Sequence, residues 1–483
     1  MYRRERFFID GAWQPPASGE LLPVVSPASE EEVGAVPRAS EPDVIGAVAA
    51  AKRAYESGPW PRMQPAERAE VLLAIAAHLA ARKRELADLS VDEFGVPVSF
   101  ARQRENGPIA IFEYYARLAR EFPFSERRAS GSGQALVLRE PVGVVAAIVP
   151  FNGPLMSAAA KIAPSLAAGC PIVFKPAPET PLDAFAIADA AEAVGLPPGV
   201  LNILPADRDV AERIVAHPDV DRVVFTGSTQ GGRRVAELCA QSFKRVTLEL
   251  GGKAAAILLE DAPLERSLAA ILPLSFFNSG QACIALSRIL VPRARCEEVV
   301  EAVVAAARAL VVGDPWDEKT RQGPLISARQ RERVLALIAA GRAEGAVLAS
   351  GGAAPRGLPR GHYVEPTVFR DVGAKMRIAR EEAFGPVVCV IPYRDEDEAV
   401  AIANDSPYGL SGAVFSDDVA RGVAIGQRIR VGTLGVNGYA LDPSLPFGGR
   451  KQSGLGREFG IEGLAEYTEL KAIALPPGAE VPA

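Results

Sequence analysis

The chain has 483 residues, of which 48% are hydrophobic and 23% are charged. It is longer than one hydrophobic core normally supports, so we expect two or more domains, and its composition excludes a disordered chain. The net charge is −6, and lysine and arginine are scattered along the chain instead of forming a basic stripe. Nucleic acid is therefore not an expected partner.

Residues 1–16 carry positive charge, but no apolar segment of the kind that an export signal requires follows them. The longest apolar runs are shorter than the roughly 20 residues of a membrane helix. We therefore expect a cytoplasmic protein that does not associate with a membrane. Five cysteines without a Cys-x-x-Cys pair, and only three histidines, predict neither disulfides nor a metal site.

Two stretches in the first hundred residues have the spacing of amphipathic helices. The first covers residues 43–57, and the second begins at Pro65 and ends before Gly95. A polar piece rich in glycine and serine, residues 124–141, then interrupts the pattern. It is either a linker or a hairpin that points away from the body.

Short apolar runs alternate with helical segments from residue 142 to residue 250, and a second alternating set runs from about 254 to 435. This rhythm predicts an α/β fold in which helices cover both faces of a parallel sheet, and the second set is long enough for its own α/β domain. Ligands of such sheets bind at the carboxyl ends of the strands. The ends to consider are "VPFN", "FKPAPE", "FTGS" and "LELGGK".

Two of these strand ends could face a cofactor. Gly227 and Gly232 lie at a strand-to-helix turn, where backbone N–H groups can bind a phosphate, although glycines also serve in turns for geometry alone. Lys175 ends another strand and could reach a ribose or phosphate oxygen, or it could simply be solvated. The residues alone leave both alternatives open.

Three polar residues could carry chemistry. Glu249 ends a strand in apolar company, and burial there would raise its pKa toward that of a general base. The amide of Asn152 could donate to a developing oxyanion. Cys283 follows an Asn-Ser-Gly turn and is either a small core residue or a nucleophile. A surface Glu and a turn Asn are the plain alternatives for the first two.

The strand ends occur in a characteristic order together with further motifs. The segments "PFN", "KPAPETP", "FTGST", "LELGGK", "GQAC", "EEAFGPV" and "PFGGRKQSGLGRE" span residues 150–458. In this order the chain resembles the aldehyde dehydrogenase superfamily. The resemblance implies a Rossmann-like cofactor domain, an α/β catalytic domain and a small β element for oligomerisation.

The resemblance implies a covalent mechanism. Cys283 would attack the aldehyde to form a thiohemiacetal, and Asn152 with the Cys283 backbone N–H would hold the oxyanion. After hydride transfer to NAD(P), Glu249 would activate water to hydrolyse the thioester. Members that acylate coenzyme A typically lack this Glu, so water is the expected acceptor. A thiol is appreciably ionised near neutrality, so no histidine is needed. Glu458 matches a second family carboxylate, which is either a proton relay or structural.

For the cofactor, the resemblance places Lys175 at the adenosine ribose and Glu382 at the nicotinamide ribose. The remaining cofactor residues that it implies are Gly227, Ser228, Gly232, Phe151 and Phe384. Pro178 replaces a Glu that often binds the adenosine ribose, which removes a barrier to NADP, but nothing basic beyond Lys175 attracts a 2'-phosphate. We therefore expect NAD, with NADP possible.

The residues expected to line the substrate tunnel are apolar and mostly small: Gly153, Met156, Ala160, Ala282, Ile284, Leu441 and Phe447. They include no cation for a carboxylate-bearing aldehyde and no acid cluster for an aminoaldehyde. A medium-to-large hydrophobic aldehyde is the expected substrate. Two other functions are considered, a cofactor-independent thiol esterase and a noncatalytic scaffold on the same fold.

The family's organisation implies three parts and a homodimer or homotetramer. Residues 1–123 with 142–250 would form the NAD(P)-binding domain, and residues 251–447 the catalytic domain. The oligomerisation element would consist of residues 124–141 and 460–483.

Overall fold

The computed structural model describes residues 1–131 and 133–476, and within them the fold is α/β, as the sequence predicts. Within these same residues, no helix is both long and apolar enough to cross a membrane. The α-helices are Glu41–Glu56, Pro65–Ala81, Lys83–Phe94, Val98–Arg104, Asn106–Glu121, Pro154–Ala168, Ala184–Ala193, Arg208–Ala216, Thr229–Ala240, Leu264–Phe276, Cys296–Ala309, Ala328–Ala343, Arg377–Arg380, Glu396–Asn404, Val419–Gln427 and Gly460–Ala465.

The strands are Tyr2–Arg3, Phe7–Ile9, Ala12–Gln14, Leu21–Val25, Glu32–Pro37, Ser125–Ser130, Gly133–Pro141, Val145–Ile148, Ile172–Lys175, Leu201–Ile203, Arg222–Thr226, Arg245–Glu249, Ala255–Leu258, Arg288–Pro292, Val347–Ser350, Thr367–Arg370, Val387–Tyr393, Ser411–Phe415, Thr433–Val436, Gly454–Leu455 and Thr468–Leu475. Short 3-10 turns are Trp60–Arg62, Phe277–Gly280, Arg293–Arg295 and Lys451–Ser453.

The larger sheet has the strand order of a dinucleotide-binding fold. Its five central strands, all parallel, are Val145–Ile148, Ile172–Lys175, Leu201–Ile203, Arg222–Thr226 and Arg245–Glu249. Numbered along the chain, they lie side by side in the order 3-2-1-4-5. The order reverses between the first and the fourth of these strands, which leaves a crevice at their carboxyl ends.

The outer edge of this sheet is closed by a segment from near the end of the chain. Gly454–Leu455 pairs antiparallel with Arg245–Glu249, so that Gly454 lies opposite Glu249. The strand that ends in Glu249 is therefore paired on both sides, with Thr226 as the neighbour of Glu249 on the inner side.

A second sheet of seven strands lies between Ala255 and Val436. All of its strand pairs are parallel except the one that joins Val347–Ser350 to Thr367–Arg370. Its apolar residues form separate core clusters on the two faces of the sheet. The sheet agrees with the second alternating pattern, and the predicted domain boundaries stay a prediction.

The polar piece at 124–141 is a hairpin and not a linker. Strands Ser125–Ser130 and Gly133–Pro141 pair with each other, and Thr468–Leu475 adds a third strand. Leu470 and Ile473 on that strand are exposed. The part of the predicted element beyond residue 476 lies outside the described residues, and its role in oligomerisation stays a prediction.

One predicted helix is interrupted. The stretch from Pro65 to Gly95 begins and ends as expected, with Gly95 in a left-handed conformation at φ 77°. It is two helices, because Arg82 leaves the helical conformation at φ −107° and ψ 11°. The Arg82 side chain there pairs with Glu85 and Asp189.

Candidate active site

A cavity of about 620 Å³ opens at the carboxyl ends of the larger sheet. Its wall contains the three residues for which the sequence suggests chemistry, Cys283, Glu249 and Asn152. Gly227 lies on the same wall and directly follows Arg222–Thr226, the fourth parallel strand, which forms one side of the crevice. One cavity thus joins the candidate nucleophile to the expected cofactor crevice.

The turn that precedes Cys283 is tightly constrained. Asn278 and Ser279 both adopt left-handed backbone conformations, with φ 51° and 57°, which is unusual for residues with side chains. A Cβ added to Gly252 would lie 2.2 Å from the carbonyl oxygen of Cys283. Only glycine permits the loop after Glu249 to approach the nucleophile's backbone this closely.

The environment of Cys283 opposes ionisation of its thiol. Burial first, and then the carboxyl groups of Glu382 and Glu249, raise the pKa of Cys283 to about 12, while the Cys283 backbone N–H and Lys161 act against them. The expectation of a thiol appreciably ionised near neutrality is therefore wrong for the protein without cofactor. A base or a new positive charge has to assist the thiol.

Asn152 is held against the loop of the candidate nucleophile by two hydrogen bonds. Its Nδ2 donates to the carbonyl oxygen of Gln281 at 3.0 Å, and its own carbonyl oxygen accepts from Nδ2 of Asn278 at 2.9 Å. Gln281 is in turn fixed by the backbone N–H of Ile326, at 2.9 Å from Oε1. The second N–H of the Asn152 amide has no hydrogen-bond partner among the described residues, so it can donate to an oxyanion.

Glu249 is buried, as its apolar flanks predict, with 3% of its surface exposed. Neither carboxyl oxygen has a hydrogen-bond partner among the described residues. Its pKa lies well above the ordinary value because of burial and then the charge of Glu458, while Lys161 and Arg457 lower it. A carboxyl group of this kind is suited to accept a proton from water or a thiol.

Glu458 is paired with Lys161, a residue that the sequence analysis missed. The Lys161 Nζ lies 2.8 and 2.9 Å from the two carboxylate oxygens, and both side chains are buried. Lys161 lies on the helix Pro154–Ala168, next to the predicted tunnel residue Ala160. It follows Ser157, another wall residue, at a helical spacing of four, but only the structure shows that Ser157 lines the cavity, so no sequence signal identifies Lys161.

The crevice between the first and fourth parallel strands fits a dinucleotide. Gly227 and Ser228 line the cavity there, at the start of the helix Thr229–Ala240. The Ser228 Oγ accepts from the Gly231 backbone N–H at 3.1 Å and caps this helix. The positive end of this helix, directly beside the crevice, suits a pyrophosphate.

Gly232 does not line the cavity. A Cβ there would lie 2.4 Å from a methyl carbon of Leu250, and its N–H donates to the Ser228 carbonyl oxygen. Packing of the helix against the neighbouring strand end explains this glycine, and its cofactor role stays a prediction.

Of the remaining cofactor candidates, three lie on the cavity wall and one lies away from it. Glu382 accepts from the Gly252 backbone N–H at 2.8 Å, and burial raises its pKa to about 7. Phe384 lies edge-on to Phe151 at 5.8 Å between ring centroids, and all three line the cavity. Lys175 is buried away from this wall, and burial lowers its pKa to about 8.

All seven residues predicted for the substrate tunnel lie on the cavity wall: Gly153, Met156, Ala160, Ala282, Ile284, Leu441 and Phe447. The wall also contains apolar residues that sequence reasoning missed, among them Leu274, Phe277 and Phe459. None of the seven predicted residues is a cation, but Arg104, which sequence reasoning missed, lies on the same wall. No motif marks Arg104, which ends the short helix Val98–Arg104.

A thiol, an amide donor and a buried carboxyl group beside a dinucleotide crevice are typical of an oxidoreductase that works through a covalent intermediate. Residues 13–473 match the model of the aldehyde dehydrogenase family, and the chain belongs to that family. It is an enzyme, an aldehyde dehydrogenase.

Several relatives match over nearly their full length. The chain is 45% identical to geranial dehydrogenase of Castellaniella defragrans over 473 residues, 98% of each protein. It is 42% identical to 3-succinoylsemialdehyde-pyridine dehydrogenase of a Pseudomonas species, over 97% of this chain and 98% of that protein. A crystal structure of Mycobacterium tuberculosis aldehyde dehydrogenase complexed with NAD+ superposes with a TM-score of 0.98 at 47% identity, covering 99% of this chain and 100% of the other.

Proposed function

We propose that the protein oxidises a hydrophobic aldehyde to its carboxylic acid, with Cys283 as nucleophile, Asn152 as oxyanion donor and Glu249 as general base. The observation that carries this proposal is that one cavity, at the crevice of a dinucleotide-binding sheet, is lined by all three. NAD is the cofactor, which the relative solved with NAD+ supports.

The first half-reaction forms a bond between Cys283 Sγ and the aldehyde carbon. Because burial holds the thiol protonated, Glu249 is the base best situated to take its proton. The oxygen of the resulting thiohemiacetal carries negative charge, which the second N–H of Asn152 and the Cys283 backbone N–H stabilise. Bound NAD supplies the hydride acceptor and a positive charge that favours the thiolate.

The second half-reaction hydrolyses the thioester. Once the thiol proton has left Glu249, this carboxylate accepts a proton from water, whose oxygen bonds to the thioester carbon. The C–S bond then breaks, Glu249 returns the proton to Cys283 Sγ, and the carboxylic acid is released. The pair formed by Lys161 and Glu458 lies close enough to shift the pKa of Glu249, and it is suited to pass the proton onward. Glu458 is in this proposal the relay and not only a structural residue.

The apolar wall supports a medium-to-large hydrophobic substrate, and a relative named geranial dehydrogenase is consistent with it. The exposed Leu470 and Ile473 on the outer strand support assembly into a dimer or tetramer through this element. The cytoplasmic location expected from the sequence stays a prediction.

The alternatives predict different behaviour. A thiol esterase would turn over esters without NAD, and the residues at the dinucleotide crevice would then have no purpose. A scaffold would need neither the unpaired Glu249 carboxyl nor the constrained Cys283 turn, both of which cost stability.

The test compares wild type with Cys283→Ala and Glu249→Gln by the formation of reduced NAD from octanal, benzaldehyde and citral. We expect no reduced cofactor from Cys283→Ala. Glu249→Gln should form reduced NAD about 100-fold or more slowly, in the first equivalent per site as well as in later turnovers, because the base of both half-reactions is missing. Wild-type steady-state rates for Glu249→Gln, or ester hydrolysis that needs no NAD, would refute the assignment.

A further inference from the structure

Arg104 places a guanidinium in an otherwise mainly apolar substrate wall. It lies at the end of the helix Val98–Arg104, and Gly153 and Asn278 are its neighbours around the cavity. A Cβ added to Gly153 would meet the Arg104 Nη2 at 3.5 Å as its nearest atom. The missing side chain at Gly153 therefore leaves space directly in front of the guanidinium.

The guanidinium is poorly satisfied by the protein. In the described part of the chain its single hydrogen bond runs from Nη1 to Oδ1 of Asn278 at 3.5 Å, the long limit for such a bond, and no carboxylate lies within ion-pair distance. The ring of Phe94 lies 5.5 Å from its central carbon. An arginine has five N–H donors, so most of those of Arg104 have no hydrogen-bond partner among the described residues.

The carboxyl groups nearby compensate its charge weakly. Glu105 lies next in the chain, but its Oε1 faces Ser90 at 3.4 Å, and burial raises its pKa. Burial raises the pKa of Asp183 as well, well above the ordinary value. Burial lowers the pKa of Arg104, and the charges of Glu105 and Asp183 offset this lowering only in part. A buried cation without an ionised partner is costly.

We propose that Arg104 binds a carboxylate carried by the substrate, so that this enzyme prefers aldehyde acids whose two functional groups are joined by an apolar body. The inference rests on the proposed function, and it names the substrate class of that site. A carboxylate accepts two parallel hydrogen bonds from the guanidinium and neutralises its charge, whereas a ketone or hydroxyl oxygen does only part of this.

The test uses matched pairs of aldehydes that differ in the carboxylate alone: para-formylbenzoate against its methyl ester, and the oxo acid of octanal's chain length against octanal. The quantity is the ratio of kcat/KM for acid over neutral partner. In Arg104→Met this ratio should fall about 10- to 100-fold, the loss expected for a hydrogen bond to a charged group. Arg104→Lys should retain only part of the wild-type ratio, since lysine lacks the two parallel N–H donors with which a guanidinium binds a carboxylate.

Arg102→Met is the matched control. Arg102 lies on the same helix but is exposed and pairs with Glu318 at 2.6 Å, so the ratio should equal that of wild type. A ratio that is unchanged in Arg104→Met, or a wild type that prefers the ester, overturns the proposal. If Arg104→Met does not fold, which thermal unfolding reveals, Arg104→Lys must still lower the ratio.

A binding measurement separates this proposal from the proposed function. Octanoate, which cannot react, is titrated by calorimetry into wild type and Arg104→Met, with octanol as the neutral comparison. Binding of octanoate that weakens about 10-fold or more in the variant supports the role of Arg104 even if no aldehyde is oxidised. Aldehyde oxidation with equal octanoate affinity in both proteins overturns the role of Arg104 alone.

Discussion

Gly252→Ala should disable catalysis while leaving the protein folded. The new Cβ would lie 2.2 Å from the Cys283 carbonyl oxygen, closer than nonbonded carbon and oxygen atoms approach, so one of the two segments has to move by about 1 Å. A displacement of that size at a reacting group lowers the rate by roughly 100-fold. The same overpacking should lower the free energy of unfolding by only about 1–3 kcal/mol.

The assay follows reduced NAD at saturating aldehyde, with thermal unfolding measured on the same preparations. Gly46→Ala is the control, because Gly46 lies on the helix Glu41–Glu56 with no atom near its added Cβ, and this change should leave kcat unchanged. If Gly252→Ala kept a kcat within about threefold of wild type, the close approach would not be what positions Cys283.

Three further predictions follow from the site. The rate of Cys283 alkylation by iodoacetamide in the cofactor-free protein should rise steadily with pH up to about pH 10, without a plateau. Only the thiolate reacts, and its fraction grows until the pH reaches a pKa of about 12. A plateau near pH 8 would contradict this, and Cys283→Ala measures the background alkylation of the other cysteines. Lys161→Met should lower the free energy of unfolding by about 3–5 kcal/mol, because it leaves Glu458 buried and unpaired, and Lys161→Met with Glu458→Gln should recover much of the loss in denaturant titrations. If the double variant were no more stable than the single one, the buried charge would not be the cause. Asn152→Ala should lower kcat about 100- to 1000-fold but the free energy of unfolding by only about 1–3 kcal/mol, for the hydrogen bond lost at the Gln281 carbonyl oxygen, and near-normal turnover would rule out its oxyanion role.

The sequence predicted best those site residues that directly follow a strand. Asn152, Glu249 and Gly227 each follow a short buried run, and parallel strands bring such positions to one edge of a sheet. The order of the motifs then identified the family. The class of fold and the principal residues on the cavity wall could therefore be read from the chain alone.

What the sequence could not reveal depends on distant segments packed together. Arg104 and Lys161 reach the cavity from separate helices, and no local pattern records which cavity a helix will face. The raised pKa of Cys283 has the same origin, since burial and the carboxyl groups of Glu249 and Glu382 come from different parts of the fold. A cysteine within a motif does not carry this information.

The pairing of Leu248 with Leu455 also has a consequence for the order of assembly during synthesis. The strands of the dinucleotide-binding sheet leave the ribosome first, but the outer edge of the strand that ends in Glu249 has no partner until the segment around Leu455 has emerged. Contacts between such distant residues form late, and unpaired edges attract other chains in the meantime. The candidate general base therefore reaches its final setting only when almost the whole described chain has been made, so a ribosome-stalled chain that lacks Gly454 and Leu455 carries the cysteine without a completed site.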